Sequence, residues 1–504
     1  MPPLTPADGD HATRETPNRS SGFALGIDLG TSSVKAIVLD MHGQPLSMSK
    51  ADYKVMAPQP GWAESDPGEW WEATVSAVQA ALARAPQARI TAIGLSGQMH
   101  GVVLTDKESR PVRAALLWAD TRAEKELKRY QALPPSLLQC LANPLVPGMA
   151  GPLLCWLADH EASSYQAARW ALQPKDWLRL CLTDSVVTDP SDASATLLFD
   201  LPADCWADDV IAALGLKRDL FAKVFPSGAL AGTLSARAAE ALGLSPGLPV
   251  ATGASDTAAA ILGAGLLVPG PIQLTVGTGA QLVQLCSEPR VDPTGRTHLY
   301  RAADGANWYV MAAVQNAGLA LEWVRRTLGV SWDELYESAD MVAPGAAGLT
   351  FLPYLTRERA HHRNPHSSGA FLGMRIDHQR EHLLHAALEG VAFGIRIALE
   401  ALPGANKATT LRLAGGGSEH PAWRQMLADV LGRELVIVET PVASARGAAL
   451  LGGIMSGIWA DAAATASVAP HTHVVATPST RHASAYDEVY AQFLRLSGAT
   501  SATA

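Results

Sequence analysis

The sequence has few cysteines and no CxxC pair. Its five cysteines are an odd number, scattered along 504 residues. Scattered cysteines are typical of reduced, mostly buried thiols. This pattern argues against a disulfide-stabilised secreted domain and predicts a cytoplasmic protein.

An excess of basic charge and long apolar runs are also missing. The sequence has 39 Lys and Arg residues and 48 Asp and Glu residues, which gives a net charge of −9. This charge argues against nucleic-acid or anionic-membrane binding. Each apolar stretch is interrupted before it reaches the roughly 18 residues of a membrane span. Residues 1–21 lack the apolar core of a secretory signal and are expected to form a disordered tail. We therefore expect neither a nucleic-acid nor a membrane partner.

The common nucleotide and metal motifs are absent as well. There is no GxxxxGK[ST], and GGGSEHP lacks the last glycine of GxGxxG, which argues against a P-loop and a Rossmann dinucleotide site. HQREHLLH is not HExxH, and its histidines fit an amphipathic helix better than a zinc site.

What the sequence does contain is a repeated pattern of strands, glycine turns and helices. A chain of this length exceeds one compact core, and the alternation predicts an α/β fold. FALGIDLGTSSVKAIVLD and GPIQLTVGTGAQLVQLCS each read as strand, turn, strand. They predict two similar domains, at 22–248 and 249–480, with a ligand cleft between them. Residues 481–504 are expected to form a helix and a loose tail.

Three small-residue loops could hold phosphates or polar edges. The turns at Gly30-Thr31 and Gly277-Thr278 offer N–H and O–H donors, although the first alone could be only a tight hairpin. Gly415 to Gly417 lie between a strand and a helix, where free N–H groups favour anions. Asp28 and Asp256 suit Mg²⁺, which takes few carboxylates and keeps several waters.

Asp256, His100 and Trp118 stand in unusual surroundings. Asp256 ends an apolar strand among glycine, alanine and small hydroxyl residues, in VATGASDTAAAILGAG. His100 lies between glycines in GQMHG and could bond a hydroxyl, though a structural histidine is the competing interpretation. Trp118, in ALLWADTR, could pack on the carbon face of a sugar or be a core aromatic.

Together these motifs resemble those of the FGGY family of carbohydrate kinases. The resemblance spans about residues 23 to 455, and its motifs keep their order and spacing. It is carried by GIDLGTSSVK, GQMHG, LLWADTR, PKDWLRLCLT, SDASATLLFD, GASDTAAA, VGTGA, FLPYLTRER, GAFLGM, HLLHAALEG and LAGGGSEHPAWRQMLADVLG.

The resemblance implies a fold and an activity. The fold is two ribonuclease-H-like (actin-like ATPase) α/β domains with an interdomain cleft where ATP and a sugar meet. Within the family the motifs are most similar to those of members that act on D-xylulose, which implies transfer of phosphate from ATP to the 5-hydroxyl of that small-molecule substrate.

It also implies roles for individual residues. Asp256 matches the catalytic base, and Asp28 together with Asp256 the Mg²⁺ carboxylates. The remaining matches fall into two groups. Those toward ATP are Thr31, Ser32, Lys35, Gly277, Thr278, Gly415, Gly416 and Gly417, and those toward the sugar are Met99, His100, Trp118, Asp256 and Thr257.

The sequence departs from the family pattern at several positions. Thr257 stands where asparagine is usual, Leu153 where lysine is expected, and His361 where proline is usual. The departures leave the choice of sugar open to another ketopentose or pentitol, such as ribulose, L-xylulose or ribitol. The rival interpretations are an actin-like ATP-driven switch and a degenerate kinase that senses sugar. A homodimer is compatible with the sequence.

Overall fold

The computed structural model describes residues 22–356, 368–440 and 442–502. The predicted tail at residues 1–21 and the departure at His361 lie outside the described residues.

Up to residue 263 the chain alternates strands with helices, as the sequence predicted. The strands are β1 (Phe23–Leu29), β2 (Ser33–Leu39), β3 (Pro45–Asp52), β4 (Glu64–Ser65), β5 (Ile90–Gly97), β6 (Val103–Thr105), β7 (Ala115–Leu116), β8 (Trp170–Leu172), β9 (Val187–Thr188), β10 (Phe199–Asp200), β11 (Cys205–Trp206), β12 (Lys223–Val224), β13 (Leu230–Thr233), β14 (Pro249–Ala251) and β15 (Ala254–Ser255). The helices are α1 (Pro67–Ala83), α2 (Leu127–Gln131), α3 (Pro135–Leu141), α4 (Ala150–His160), α5 (Ala162–Ala167), α6 (Pro174–Thr183), α7 (Pro190–Ala193), α8 (Asp208–Ala213), α9 (Ala236–Leu242) and α10 (Asp256–Gly263).

The first large sheet has the strand order β13-β14-β5-β1-β2-β3, and β15 also pairs with β5. Strands β1, β2 and β3 are antiparallel, which confirms the predicted hairpin at Gly30. Strand β5 runs parallel to β1 and to β14. Because parallel strands end at the same edge, the residues that follow β1 and β5 meet where α/β sheets usually bind ligands.

The chain from residue 272 repeats this arrangement. The strands are β16 (Ile272–Val276), β17 (Ala280–Cys286), β18 (His298–Arg301), β19 (Trp308–Val314), β20 (Thr350–Leu352), β21 (Ala370–Leu372), β22 (Thr410–Ala414), β23 (Glu434–Val438) and β24 (Thr472–Ala476). The helices are α11 (Gly318–Leu328), α12 (Trp332–Met341), α13 (Arg380–Glu400), α14 (Pro421–Leu431), α15 (Ala443–Ser456) and α16 (Thr480–Ala502). The second large sheet has the order β18-β19-β17-β16-β22-β23-β24. Its antiparallel β16, β17 and β19 lie beside the parallel β22 and β23, as in the first sheet.

Helix α15 comes from the second half of the chain but packs on the first sheet. A Cβ on Gly94 of β5 would lie 1.8 Å from the Ala448 carbonyl oxygen of α15. Helices α10 and α15 approach each other as closely, since a Cβ on Gly447 would lie 1.8 Å from Ala259 O. Only glycine permits backbones to come this near. The helix pair therefore joins the two halves of the molecule tightly.

The first sheet extends past the predicted division at 248/249. Strands β14 and β15 follow that point and both pair with β5. The second sheet starts at Ile272. These short strands belong to the first domain because of long-range pairing, which their local sequence does not reveal.

The C-terminal helix is longer than the amphipathic segment suggested. Helix α16 continues through Gly498 to Ala502, where a loose tail was expected. It packs on α14, α13 and β20, and therefore belongs to the second domain.

Among the described helices, α13 alone is long and apolar enough to cross a membrane by length and composition. Of its most apolar window, 78% is buried inside the protein. Leu388, Val391 and Phe393 of this helix belong to the core of the second domain. The helix is thus accounted for as a core helix.

The five cysteines are all free thiols. The expectation that they are mostly buried is wrong, because only Cys155 and Cys286 are buried and Cys205 is exposed. Cys155 is buried, and this burial raises the pKa of its thiol to about 12. A thiol with so high a pKa stays protonated and unreactive near neutral pH.

Candidate active site

Asp28 lies near the end of β1 with a cation on one side and a hydroxyl on the other. Lys35 is its cross-strand partner on β2, and Ser96 its neighbour on β5. Lys35 Nζ lies 3.3 Å from Asp28 Oδ2, and Ser96 Oγ donates to Asp28 Oδ1 at 2.9 Å. These contacts hold a carboxylate that is only 2% exposed.

Asp256 is the first residue of α10 and directly follows β15. Its Oδ1 accepts hydrogen bonds from Thr257 N at 2.6 Å and Thr257 Oγ1 at 3.2 Å. Burial and the negative charge of nearby Asp28 raise the pKa of Asp256 to about 7. The carboxylate can therefore take up and release a proton near neutral pH.

The tip of the first hairpin is held from two sides. The Tyr53 hydroxyl donates to Gly30 O. Trp118 Nε1 donates to Thr31 Oγ1 at 3.0 Å. Ser32 at the tip is exposed. A residue expected on the sugar side thus contacts one expected on the phosphate side.

His100 has the left-handed backbone conformation, with φ of 72°. This region is uncommon for residues other than glycine and is often retained at functional sites. His100 Nδ1 donates to the Ala195 carbonyl at 2.7 Å, so in the neutral ring Nε2 is the acceptor. The preceding Met99 is buried, with its Sδ 3.8 Å from the Tyr309 hydroxyl.

The two glycine loops of the second domain lie side by side. The parallel pairing of β16 with β22 ends at Thr275 and Ala414, directly before the loops. Gly415 has φ of 92°, and a Cβ there would lie 2.2 Å from Val276 O. Gly277 and Thr278 at the other loop are exposed. Gly416 and Gly417 begin the 3-10 turn Gly416–Ser418.

Gln281 connects the second loop to the first domain. It is the second residue of β17, and its Nε2 lies 3.5 Å from Thr257 Oγ1. Since Thr257 bonds Asp256, this contact brings the start of β17 next to the residue that supports the expected base. Within the described ranges, no group of three or more His, Cys, Asp or Glu side chains could hold a metal ion.

Three polar residues near this site were not predicted from the sequence. Ser96 and Tyr53 support Asp28 and Gly30, as described. Gln98 is 1% exposed, and neither its Nε2 nor its Oε1 has a hydrogen-bond partner among the described residues. The motif GQMHG contains Gln98 and drew attention to its histidine alone. Buried polar atoms without partners are uncommon, so Gln98 is a further candidate site residue.

The two halves of the chain match one family. Residues 23–263 match the FGGY family of carbohydrate kinases, N-terminal domain, and residues 272–456 match the C-terminal domain of that family. The chain belongs to the FGGY family of carbohydrate kinases. It is therefore a sugar kinase that uses ATP as the phosphate donor. The predicted ribonuclease-H-like (actin-like ATPase) pair of domains is confirmed.

Individual FGGY relatives carry more than one substrate name. Xylulose kinase from Klebsiella pneumoniae is 34% identical over 413 residues, which cover 82% of this chain and 85% of the relative. Gluconokinase from Bacillus licheniformis is 28% identical over 500 residues, covering 95% and 96%. The crystal structure of a xyloylose kinase from Brucella ovis superposes with a TM-score of 0.90 at 35% identity, covering 96% of this chain and all of that one.

Proposed function

We propose that this FGGY kinase transfers the γ-phosphate of ATP to the 5-hydroxyl of D-xylulose, with Asp256 as general base. The observation that carries the proposal is the Asp256 carboxylate, whose pKa is raised to about 7 at the start of α10. Its 34% identical relative is a xylulose kinase. The products are D-xylulose 5-phosphate and ADP.

The base acts on the attacking hydroxyl. The 5-hydroxyl proton passes to the Asp256 carboxylate as the bond from that oxygen to the γ-phosphorus forms and the bond to the leaving ADP oxygen breaks. A base is most effective when its pKa lies near the working pH, and a value of about 7 satisfies this. Gly253, three residues before the base, has φ of 83°, and a Cβ there would lie 2.5 Å from Leu95 O of β5. This glycine is therefore explained by the path of the backbone and not by space for the acceptor.

Backbone donors and small side chains would bind the nucleotide. Thr31, Ser32 and Lys35 on the first side, and Gly277 and Thr278 on the second, supply N–H, O–H and ammonium groups for the phosphates. Gly415, Gly416 and Gly417 have no side chains, so adenosine can approach their backbone.

The carboxylates fit a magnesium ion shared with phosphates. Asp28 and Asp256 are hard oxygen ligands, and Mg²⁺ in such sites takes one or two carboxylates together with phosphate oxygens and water. Asp28 and Asp256 would hold the ion, which when bound neutralises charge on the phosphates.

Four residues besides the base would contact the sugar. His100 Nε2 can accept a hydrogen bond from a hydroxyl, because its Nδ1 proton is used by Ala195 O. The half-buried Trp118 ring offers an apolar face to sugar carbons. Thr257 and Met99 would be the other two, and Thr257 is shorter than the asparagine usual in members that act on D-xylulose.

The test is sugar-dependent ADP release with Mg·ATP. We expect the highest kcat/KM for D-xylulose in a panel with L-xylulose, D-ribulose, L-ribulose, ribitol, xylitol, glycerol and D-gluconate. D-Gluconate is included because a gluconokinase is similar over 95% of the chain. A different preferred acceptor would contradict the proposed sugar.

The general base is tested separately with Asp256→Asn, which keeps the shape of the side chain and removes its basicity. We expect turnover to fall by roughly 100-fold or more. Full activity of a correctly folded Asp256→Asn protein would contradict the role of Asp256. Wild-type enzyme measured alongside with its preferred sugar is the control.

A further inference from the structure

A fully buried charge cluster lies behind the base and has no part in the proposed reaction. Lys175 Nζ lies 2.6 Å from Asp176 Oδ1, 3.1 Å from Asp189 Oδ1 and 3.2 Å from Asp192 Oδ2. Arg179 Nη1 lies 2.9 Å from the same Asp176 oxygen. None of these five side chains is more than 1% exposed. Burying so many charges is costly even when they are paired, so stability alone is a weak reason for them.

Four of the five charged side chains come from two motifs that received no role above, and the fifth, Asp189, is the N-cap residue of α7. PKDWLRLCLT supplies Lys175, Asp176 and Arg179, all on α6. SDASATLLFD supplies Asp192 and, next to it, Ser191, both on α7. Both motifs support the family resemblance, and the contact already described between them and a residue assigned to ATP or the sugar is that of the Ala195 carbonyl with His100 Nδ1.

Asp189 connects the cluster, through Ser191, to the backbone just before Asp256. Asp189 Oδ2 accepts from Ser191 Oγ at 2.6 Å. The hydroxyl proton of Ser191 is thereby directed at Asp189, which leaves its lone pairs to accept from Ser255 N at 2.9 Å. Ser255 is the N-cap residue of α10. Its N–H is thus fixed one residue before Asp256.

Arg179 of the cluster holds the other end of the same segment. Arg179 Nη1 donates to Thr252 O at 2.7 Å, while it also bonds Asp176. The chain between Thr252 and Ser255 is therefore bound at both ends by side chains of one buried cluster. The backbone of Gly253, between them, donates to Ser227 O at 2.9 Å.

We propose that Ser191, oriented by Asp189 and Lys175, is a positioning residue that sets the place of the Asp256 carboxylate. This inference rests on the proposed role of Asp256 as the base. General-base catalysis needs the carboxylate within hydrogen-bond reach of the hydroxyl, and small displacements of reacting groups reduce rates strongly. The same α7 region also supplies Ala195 O to His100.

The neighbouring Ser227 provides a matched control. Its hydroxyl donates to the same Asp189 Oδ2 at 2.7 Å and it is also buried. Ser191→Ala and Ser227→Ala each remove one hydroxyl donor to Asp189. Only Ser191→Ala also removes the acceptor for Ser255 N. The two variants therefore separate loss of cluster stability from loss of positioning.

The experiment compares kcat, the KM values for ATP and the preferred sugar, and the Tm of the full-length variants. We expect a decrease in Tm for both, and a larger one in Ser191→Ala because the buried Ser255 N–H also loses its acceptor. We expect kcat to fall about 10-fold to 100-fold in Ser191→Ala and to stay near the wild-type value in Ser227→Ala, with both KM values little changed. Ser191→Cys, which keeps a weaker donor and acceptor, should have an intermediate kcat and serves if Ser191→Ala does not fold.

Equal kcat in the two alanine variants, with Asp256→Asn inactive, would overturn the positioning role alone. An Asp256→Asn protein with full activity would overturn the base assignment and, with it, this inference. The two failures are thus distinguished in the same set of measurements.

Discussion

The Trp118 indole donates a 3.0 Å hydrogen bond to Thr31 Oγ1 at the tip of the first hairpin. A side chain assigned to the sugar is thereby connected to a side chain assigned to phosphate. The hairpin tip cannot move away from Trp118 without breaking this bond. Binding of one substrate is thus expected to influence the site of the other.

This coupling is measurable by a double-mutant cycle. Trp118→Phe removes the N–H donor and keeps an aromatic ring, while Thr31→Val removes the acceptor and keeps the shape. We expect a coupling of about 1 kcal/mol in kcat/KM for ATP, the usual worth of one hydrogen bond. Strictly additive effects would show that the contact does not matter to the reaction.

The pH dependence follows from the raised pKa of Asp256. The base works only when deprotonated, so activity should fall below about pH 7. Because Asp28 contributes to the raised pKa, Asp28→Asn should move the acidic limb to lower pH, even if the rate itself is lower. Initial rates with both substrates well below saturation report the free enzyme. An unchanged acidic limb in Asp28→Asn would show that the charge of Asp28 does not affect the pKa of Asp256.

The raised pKa of Asp256 also means that its ionised carboxylate lowers the stability of the folded protein. The pKa of Asp256 is about 7 in the folded protein, against 3.8 for an aspartate in water, so the folded state binds an extra proton between these two pH values. The resulting stabilisation is complete below about pH 4 and is lost as pH rises through 7. The free energy of unfolding of Asp256→Asn, relative to that of wild type, should therefore rise by up to a few kcal/mol between pH 5 and pH 8. Tm measured at both pH values tests this, and an equal difference at each would contradict it.

His100 offers a test of sugar binding that leaves the nucleotide site intact. His100→Ala should raise KM for the sugar about 10-fold, the loss of one good hydrogen bond, with KM for ATP little changed. His100→Asn is the matched variant, because asparagine tolerates the positive φ of this position. Equal increases in both KM values would remove His100 from the sugar site.

The close packing of α15 on the first sheet is tested by adding one methyl group. In Gly94→Ala the new Cβ would meet the Ala448 carbonyl oxygen at 1.8 Å, and we expect destabilisation by about 1–3 kcal/mol. Gly498→Ala is the control, since nothing lies within 4 Å of its Cβ position in α16. Urea unfolding of both variants gives the comparison. A Gly94→Ala protein as stable as Gly498→Ala would mean that helix and sheet separate at no cost.

Local features of the site could be predicted from the sequence, and contacts between distant segments could not. The glycine turns at Gly30 and Gly277 depend on neighbours within a few residues. Ser96, by contrast, bonds Asp28 from 68 residues away, and Ser191 bonds Ser255 from 64 residues away. Such pairs follow from the parallel pairing of strands and the placing of α7, for which periodicity gives no register.

The division of the chain illustrates the same limit. Strand β14 reads as an ordinary apolar strand, and its membership of the first sheet is decided by its pairing with β5. The role assigned to Asp256 came from the family resemblance together with its small neighbours. Its raised pKa comes from burial and then from the nearby charge of Asp28, both of which only the folded chain provides.

The place of α15 has a consequence for how the protein is made. Its residues 443–456 cover the face of the first sheet that contains Gly94, yet they leave the ribosome long after that sheet. Until then the nascent first domain has an uncovered apolar face, the kind of surface that promotes aggregation. A fragment ending at residue 263 lacks α15, so this face of its sheet stays exposed to solvent. A separately supplied peptide containing residues 443–456 would cover the face.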